Sequence, residues 1–357
     1  MENKKAILVL EDGSYFEGEA FGRTGQAHGE VVFNTCMTGY EEVLTDPSYK
    51  GQMVVMTYPL IGNYGMNEED VESYKPHVEG FIIKELCDYP SNWRCTIHPV
   101  QYFECWGIMG IHRVDTRQIT QHIRDFGSMY GVISTESFDV QALAETARNL
   151  GTVKRDLVDM VSVKETRHIE GPGHRVVVMD MGMKENIARS LVKRGCDVYV
   201  VPCHTSAKEI LDLDPEGILI SNGPGDPQDV PYAIEAIRNL IGKKPIMGIC
   251  LGHQLLGLAL GGQTYKLKFG HHGGNHPVKD FNKGRVYITS QNHNYALRDN
   301  FCKQATITHI NLNDNTVEGF VHNEYPIISV QYHPEVSPGP HDSAYMFDEF
   351  MDMMASA

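Results

Sequence analysis

The chain has 357 residues, enough for about two domains, with 41% hydrophobic and 22% charged residues, an ordinary globular mixture with ample core. Its 46 acidic and 31 basic residues give a net charge of −15, and an acidic surface repels phosphate backbones, which argues against a nucleic-acid partner. No apolar run is long enough to span a bilayer, and Met1 to Ala6 lack the apolar region of a signal peptide, so the expected location is cytoplasmic, with no membrane partner.

The first part reads as β-rich. Ala6 to Leu10, Tyr15 to Ala20, Glu30 to Asn34, Gln52 to Tyr58 and Gly80 to Glu85 carry strand patterns, with the turn Glu11-Asp12-Gly13-Ser14 between the first two. Helices follow. Asp115 caps one through Ile119 and Ile123 that Gly127 closes, and Asp139 caps another through Leu143, Ala147 and Leu150. The charged stretch 151–173, ending in Glu170-Gly171-Pro172-Gly173, is expected to be a linker between a first domain, 1–150, and a second, 174–357.

From His174 strand and helix alternate. The strands are Val176 to Met179, Val198 to Val201 and Gly217 to Ile220; one helical face carries Ile187, Leu191 and Val192, another Ile234, Ile237 and Leu240. Fully apolar strands separated by helices predict a doubly wound α/β sheet with its site at the carboxyl ends of the strands. The fourth strand, Pro245 to Ile249, runs into Cys250, and Leu255, Leu256 and Leu260 leave it at helical spacing. Strand, sharp turn and helix with Gly248 and Gly252 around a cysteine form a nucleophile elbow with sulfur in place of the serine oxygen. The helix starting after Cys250 points its positive end at the sulfur and favours the thiolate. Strands at Val286 to Ser290, Ala305 to Thr308 and Ile327 to Tyr332, and a closing helix from Tyr345 to Met353, complete the chain.

The chemistry follows from the elbow. A thiolate nucleophile needs a base and the base needs an orienter. His333 and Glu335, two apart at the end of a strand, face the same way and fit those roles. Acyl transfer also needs donors for an oxyanion. The Leu251 amide supplies one, and the Gly223-Pro224-Gly225 loop offers a second because glycine lets backbone approach a ligand closely. The eight cysteines, Cys36, Cys87, Cys95, Cys105, Cys196, Cys203, Cys250 and Cys302, form no Cys-x-x-Cys, which argues against zinc and a disulfide framework. His271, His272 and His276 fall in a Gly-rich stretch expected to be a loop and match no metal-ligand spacing, so no metal is expected. No Walker loop and no dinucleotide fingerprint is present.

The elbow Gly248-Ile249-Cys250-Leu251-Gly252-His253-Gln254, the loop Ser221-Asn222-Gly223-Pro224-Gly225-Asp226-Pro227 and Tyr332-His333-Pro334-Glu335 resemble class I glutamine amidotransferases. Across its length the chain resembles, more narrowly, the small-subunit family of carbamoyl-phosphate synthase. That likeness rests on Phe33 to Tyr40, Leu44 to Tyr49, Phe269 to Asp280 and Ser337 to Asp342. The resemblance implies a γ-glutamyl thioester on Cys250, with His333 as base, Glu335 as its orienter and Gly223 and Leu251 holding the oxyanion. It implies that Ser48, Gly225, Gln254, Asn292 and the Asn294-Tyr295 backbone grip the substrate glutamine, with Ser48 placing it at a domain interface. It further implies a large, ATP-using synthetase subunit as partner, which would hold ATP and its metal ion; this chain needs no cofactor of its own. Asn294-Tyr295 departs from the family's Gly-Phe, and Asn is expected to tolerate a positive φ there. Two alternatives are the amidotransferase component of another synthetase, of the anthranilate or aminodeoxychorismate type, which usually lacks the β-rich first domain, and a non-catalytic scaffold, against which the intact Cys250, His333 and Glu335 stand.

Overall fold

The computed structural model describes residues 4–152, 154–299 and 303–356; Met1 to Asn3 and Cys302 lie outside them. The chain divides into two units, Met1–Arg155 with Lys268–His272, and Asp156–Leu267 with Gly273–Ala357.

The first unit is built on a closed barrel of seven strands among the described residues. Lys5–Leu10 pairs antiparallel with Tyr15–Gly22, and Tyr15–Gly22 with Met109–His112. Met109–His112, Gly80–Ile82, Gln52–Met56 and Gln26–Asn34 follow in parallel. Met129–Ser134 closes the ring, antiparallel to both Gln26–Asn34 and Lys5–Leu10. Alternate residues of each strand point to opposite faces. One set, including Leu8, Val31, Met53, Ile82, Ile111 and Ile133, forms a single buried cluster with Ile119 and Ile123 of the helix Thr116–Phe126. The opposite set is covered elsewhere: Ile7, Val9 and Val132 pack on Leu143, Ala144 and Ala147 of the helix Val140–Leu150. Asp115 and Asp139 cap these two helices as expected, each carboxylate accepting a backbone N–H in the first turn. The strand expected over Gly80 to Glu85 divides: Gly80–Ile82 enters the barrel, and Glu85–Leu86 pairs with Leu60–Ile61 in a separate ribbon.

The second unit is a twisted sheet of ten strands among the described residues. Asp197–Pro202, Arg175–Asp180, Gly217–Ile220, Ile246–Ile249 and Ile327–Val330 run parallel at its centre. Val317–His322, Ala305–Asn311, Thr264–Asp280 and Arg285–Leu297 extend it on one side. Helices cover both faces. Val177, Met179, Ile218, Ile220 and Ile246 pack with the helices Pro231–Leu240 and Leu251–Ala259. Val176, Val178, Leu219, Met247 and Ile249, displaced by one residue, pack with Glu185–Val192 and the closing helix Tyr345–Ala355. This is the doubly wound arrangement expected from the apolar strands.

Two stretches differ from expectation. Residues 156–169, within the expected linker, hold the helix Leu157–Val161 and the edge strand Arg167–Ile169, which pairs antiparallel with Asp197–Pro202. The charge density that suggested a linker belongs to an exposed edge, where charged side chains keep further strands from pairing. The Gly-rich histidine stretch is not a loop: His271, His272 and His276 lie on the 17-residue strand Thr264–Asp280.

Candidate active site

The strand Ile246–Ile249 ends at Cys250, and the helix Leu251–Ala259 begins at the next residue. Cys250 carries φ 53° and ψ −105°, a conformation that a side-chain-bearing residue holds only when its surroundings force it. The force is local. Gly252 packs so closely on the neighbouring strand that a Cβ there would stand 2.1 Å from the Ile220 carbonyl oxygen. The helix therefore starts directly against the sheet, and the turn between has no room to relax. Cys250 N–H donates to the Val330 carbonyl at 2.9 Å, and Gly252 N–H to that of Ser221 at 3.0 Å. The apex is thus bonded to strands on both sides.

His333 and Glu335 leave the end of the adjacent strand Ile327–Val330. His333 Nδ1 lies 2.6 Å from Glu335 Oε1, and both side chains are buried. Only one ring nitrogen is committed; Nε2 is buried and has no hydrogen-bond partner among the described residues. Burial opposes the imidazolium, but the Glu335 carboxylate and the Cys250 sulfur outweigh it, and His333 is pushed up to about 10. Burial also works against the Glu335 carboxylate. The Lys184 ammonium and His333 overcome that, and Glu335 falls to about 2.

Lys184 went unnoticed in the sequence. It is buried, its Nζ lies 3.2 Å from Glu335 Oε1, and it also donates to the Val336 carbonyl. A buried ammonium is tolerated only with such partners. The available signal was a lysine four residues past a buried strand end, with no apolar period to place it on a surface. Asn186 Nδ2 adds a bond to the Glu335 carbonyl at 3.1 Å.

The Gly223 loop is fixed from below. Asn222 Oδ1 accepts the Lys184 N–H at 3.0 Å, and Asn222 Nδ2 donates to the Gly182 carbonyl at 3.0 Å. A Cβ on Gly223 would stand 2.0 Å from the Met181 carbonyl oxygen and 2.9 Å from Leu251 Cδ2, so only glycine fits beside the elbow. Gly225 has a positive φ, 89°. Leu251, in the first turn of its helix, presents an N–H that the helix itself does not satisfy.

Around the sulfur, Cys250 Sγ lies 3.6 Å from the Asn292 carbonyl oxygen and 3.6 Å from Gln331 Nε2. Gln254 Nε2 donates to the Tyr295 carbonyl at 2.7 Å and to Gln331 Oε1 at 3.0 Å. Asn292, Asn294 and Tyr295 sit on the strand Arg285–Leu297. Asn294 is strand backbone and is absent from the described residues of positive φ, so its tolerance of the left-handed conformation is not used. The sheet provides the reason: an extended strand has no use for it. Ser48 lies in the first unit, buried in the turn Pro47–Tyr49, its N–H donating to Asp46 Oδ1 at 2.9 Å. Of the other histidines near the elbow, His253 is driven down to about 3 by burial, with Nδ1 on Ser329 Oγ at 2.9 Å. His293 is bonded to the Tyr295 carbonyl and Gln291 Oε1, both at 2.8 Å.

An elbow cysteine, a histidine held by a buried carboxylate and a glycine loop beside the helix start can form and break an acyl–sulfur bond. Residues 177–353 match the family described as glutamine amidotransferase class-I, so the second unit is a domain of that class. Residues 8–133 match the carbamoyl-phosphate synthase small chain, CPSase domain. The carbamoyl phosphate synthase small chain of Syntrophotalea carbinolica is 55% identical, over 98% of this chain and 98% of its own length. That of Archaeoglobus fulgidus is 53% identical over 98% and 99%. The carbamoyl phosphate synthase pyrimidine-specific small chain of Bacillus subtilis is 51% identical over 98% and 96%. The chain belongs to the carbamoyl phosphate synthase small chain family. Among the described residues, no helix is long and apolar enough to cross a membrane.

Proposed function

We propose that this chain hydrolyses glutamine to glutamate and ammonia through a thioester on Cys250, and delivers the ammonia to a large synthetase subunit that uses ATP to make carbamoyl phosphate. The reading rests above all on the buried His333, whose Nδ1 is taken by Glu335 while Nε2 is left, among the described residues, for the Cys250 sulfur that raises the ring's pKa.

In this mechanism His333 Nε2 takes the thiol proton, and the sulfur attacks the γ-carbonyl carbon of glutamine. Glu335 fixes the tautomer and offsets the imidazolium charge. The Gly223 and Leu251 amides receive the negative oxygen of the tetrahedral intermediate. On its collapse the amide nitrogen leaves as ammonia with the proton from His333, and water then hydrolyses the thioester by the same base. Ser48, Gly225, Gln254, Asn292, Asn294 and Tyr295 are proposed as the glutamine contacts, on the family resemblance. Gln254 commits both amide hydrogens within the protein, so it would meet the substrate through its oxygen.

The proposal places no cofactor in this chain and assigns ATP and its metal ion to the large subunit. It places the protein in the cytoplasm, a reducing compartment that suits the seven free cysteines among the described residues. The test is ammonia release from glutamine by the purified chain. Hydrolysis that disappears in Cys250→Ser, with the fold retained, supports the reading; hydrolysis that survives the change overturns it.

A further inference from the structure

Gln331 stands between the strand Ile327–Val330 and His333, fully buried. Both ends of its amide are committed: Oε1 accepts from Gln254 Nε2 at 3.0 Å, and Nε2 lies 3.6 Å from Cys250 Sγ. The orientation is set by the neighbours. Gln254 Nε2 donates to the Tyr295 carbonyl oxygen, which can only accept, so the nitrogen end of Gln254 faces this way. The atom it meets on Gln331 must then be oxygen, and that leaves the N–H of Gln331 toward the sulfur.

Besides His333, the sulfur has among the described residues two polar neighbours of opposite kind. The Asn292 carbonyl, 3.6 Å away, can receive the S–H of a thiol and has nothing to give a thiolate. The Gln331 N–H can stabilise only a sulfur that accepts. Cys250 is 2% exposed, so little water reaches it, and a hydrogen bond to a charged atom counts for more there than at a surface.

We propose that Gln331 is a catalytic residue of this site: its side-chain N–H holds the Cys250 thiolate between loss of the proton and attack on the carbonyl, while Gln254 and Tyr295 fix the amide in that orientation. The proposal rests on Cys250 being the nucleophile. The thiol proton passes to His333 Nε2, the S–H electron pair stays on sulfur, and the hydrogen bond of the sulfur changes from Asn292 oxygen to Gln331 N–H. That pair then forms the S–C bond, the carbonyl π pair moves to oxygen, and collapse expels ammonia with the proton from His333.

The titratable groups around the sulfur stay constant in Gln331→Met, whereas Gln331→Glu adds a carboxyl to them. His333 faces the sulfur, with Glu335 and Lys184 behind. His253, on the helix Leu251–Ala259, is turned to Ser329, and His293, on the strand Arg285–Leu297, to Gln291 and Tyr295.

The experiment is the pH dependence of iodoacetamide alkylation at Cys250 in the full chain, located by peptide mass spectrometry, together with glutamine kinetics. Gln331→Glu keeps an oxygen for Gln254 but replaces the donor by an acceptor; Gln331→Met removes both polar ends. The midpoint for alkylation should rise by about one unit in Gln331→Met and by more in Gln331→Glu. The kcat should fall about 10- to 100-fold while KM changes by less than about threefold. Unfolding curves establish that each variant is folded, and either variant alone gives the readout if the other does not fold. Wild-type alkylation profiles and kcat in both would overturn the role of Gln331. Hydrolysis surviving in Cys250→Ser, or labelling of a different cysteine, would instead sink the nucleophile assignment and this proposal with it.

Discussion

His333 Nδ1 and Glu335 Oε1 are 2.6 Å apart with both side chains buried, and each shifts the other's protonation in the direction that keeps the pair charged. Glu335 falls from 4.5 to about 2, so its contribution to stability is complete above pH 4.5 and lost as pH falls toward 2. His333 rises from 6.5 to about 10, so its contribution is complete below pH 6.5 and lost as pH rises through 10. The stability difference between wild type and Glu335→Gln should therefore peak between pH 4.5 and 6.5 and shrink on both sides. Urea unfolding across pH measures this; a difference that is flat with pH would show that the pair is not charged.

Lys184→Met should be costly although it is far from any surface. Among the described residues the Lys184 ammonium and the His333 imidazolium are the cations beside Glu335, and removing the first leaves the buried carboxylate with the second. Breaking a buried pair from one side costs about 3 kcal/mol. A urea midpoint reduced at unchanged slope is the expected result, with hydrolysis reduced as well. A loss below about 0.5 kcal/mol, the scale of an ordinary surface change, would remove Lys184 from the account.

Gly252→Ala tests the packing that strains the elbow. The added methyl would meet the Ile220 carbonyl at 2.1 Å, so helix and strand must part. The expected cost is about 1–3 kcal/mol, with alkylation of Cys250 and hydrolysis impaired together because the apex moves. An active, equally stable variant would show that the turn can relax.

His253, three residues past the cysteine, and His333 should separate cleanly. Burial keeps His253 uncharged at neutral pH, and it serves Ser329. His253→Asn should retain hydrolysis within about tenfold, whereas His333→Asn should lose about 10²–10⁴-fold. The reverse ranking in glutaminase assays would mean that the base has been misidentified.

Where local pattern decides structure, the sequence was informative. Four apolar strand residues, a cysteine between glycines and leucines at helical spacing leave one solution at Cys250. The His333-Pro334-Glu335 spacing at a strand end is legible for the same reason. The barrel was not. Its closure depends on Gln26–Asn34 meeting Met129–Ser134 and on Tyr15–Gly22 meeting Met109–His112, long-range pairings that no local period encodes. The strand Thr264–Asp280 was hidden by its glycines, which are depleted in strands but are held here by neighbouring strands. Lys184 and Gln331 were missed because a buried polar residue is defined by its partners, and Val336, Glu335, Gln254 and Cys250 come to them from distant points in the chain. Val192, expected on the buried helical face with Ile187 and Leu191, is instead 37% exposed at the helix end, where Ile187 and Leu191 already fill the contact.

The central claim, that Cys250 releases ammonia for a synthetase partner, is tested most directly in the reconstituted complex with the large subunit. Carbamoyl phosphate formation is measured with bicarbonate and ATP, once with glutamine and once with ammonia as nitrogen donor. With Cys250→Ser in this chain, glutamine-dependent synthesis should vanish and ammonia-dependent synthesis should continue at the wild-type rate. Glutamine-dependent synthesis that persists in Cys250→Ser would contradict the account.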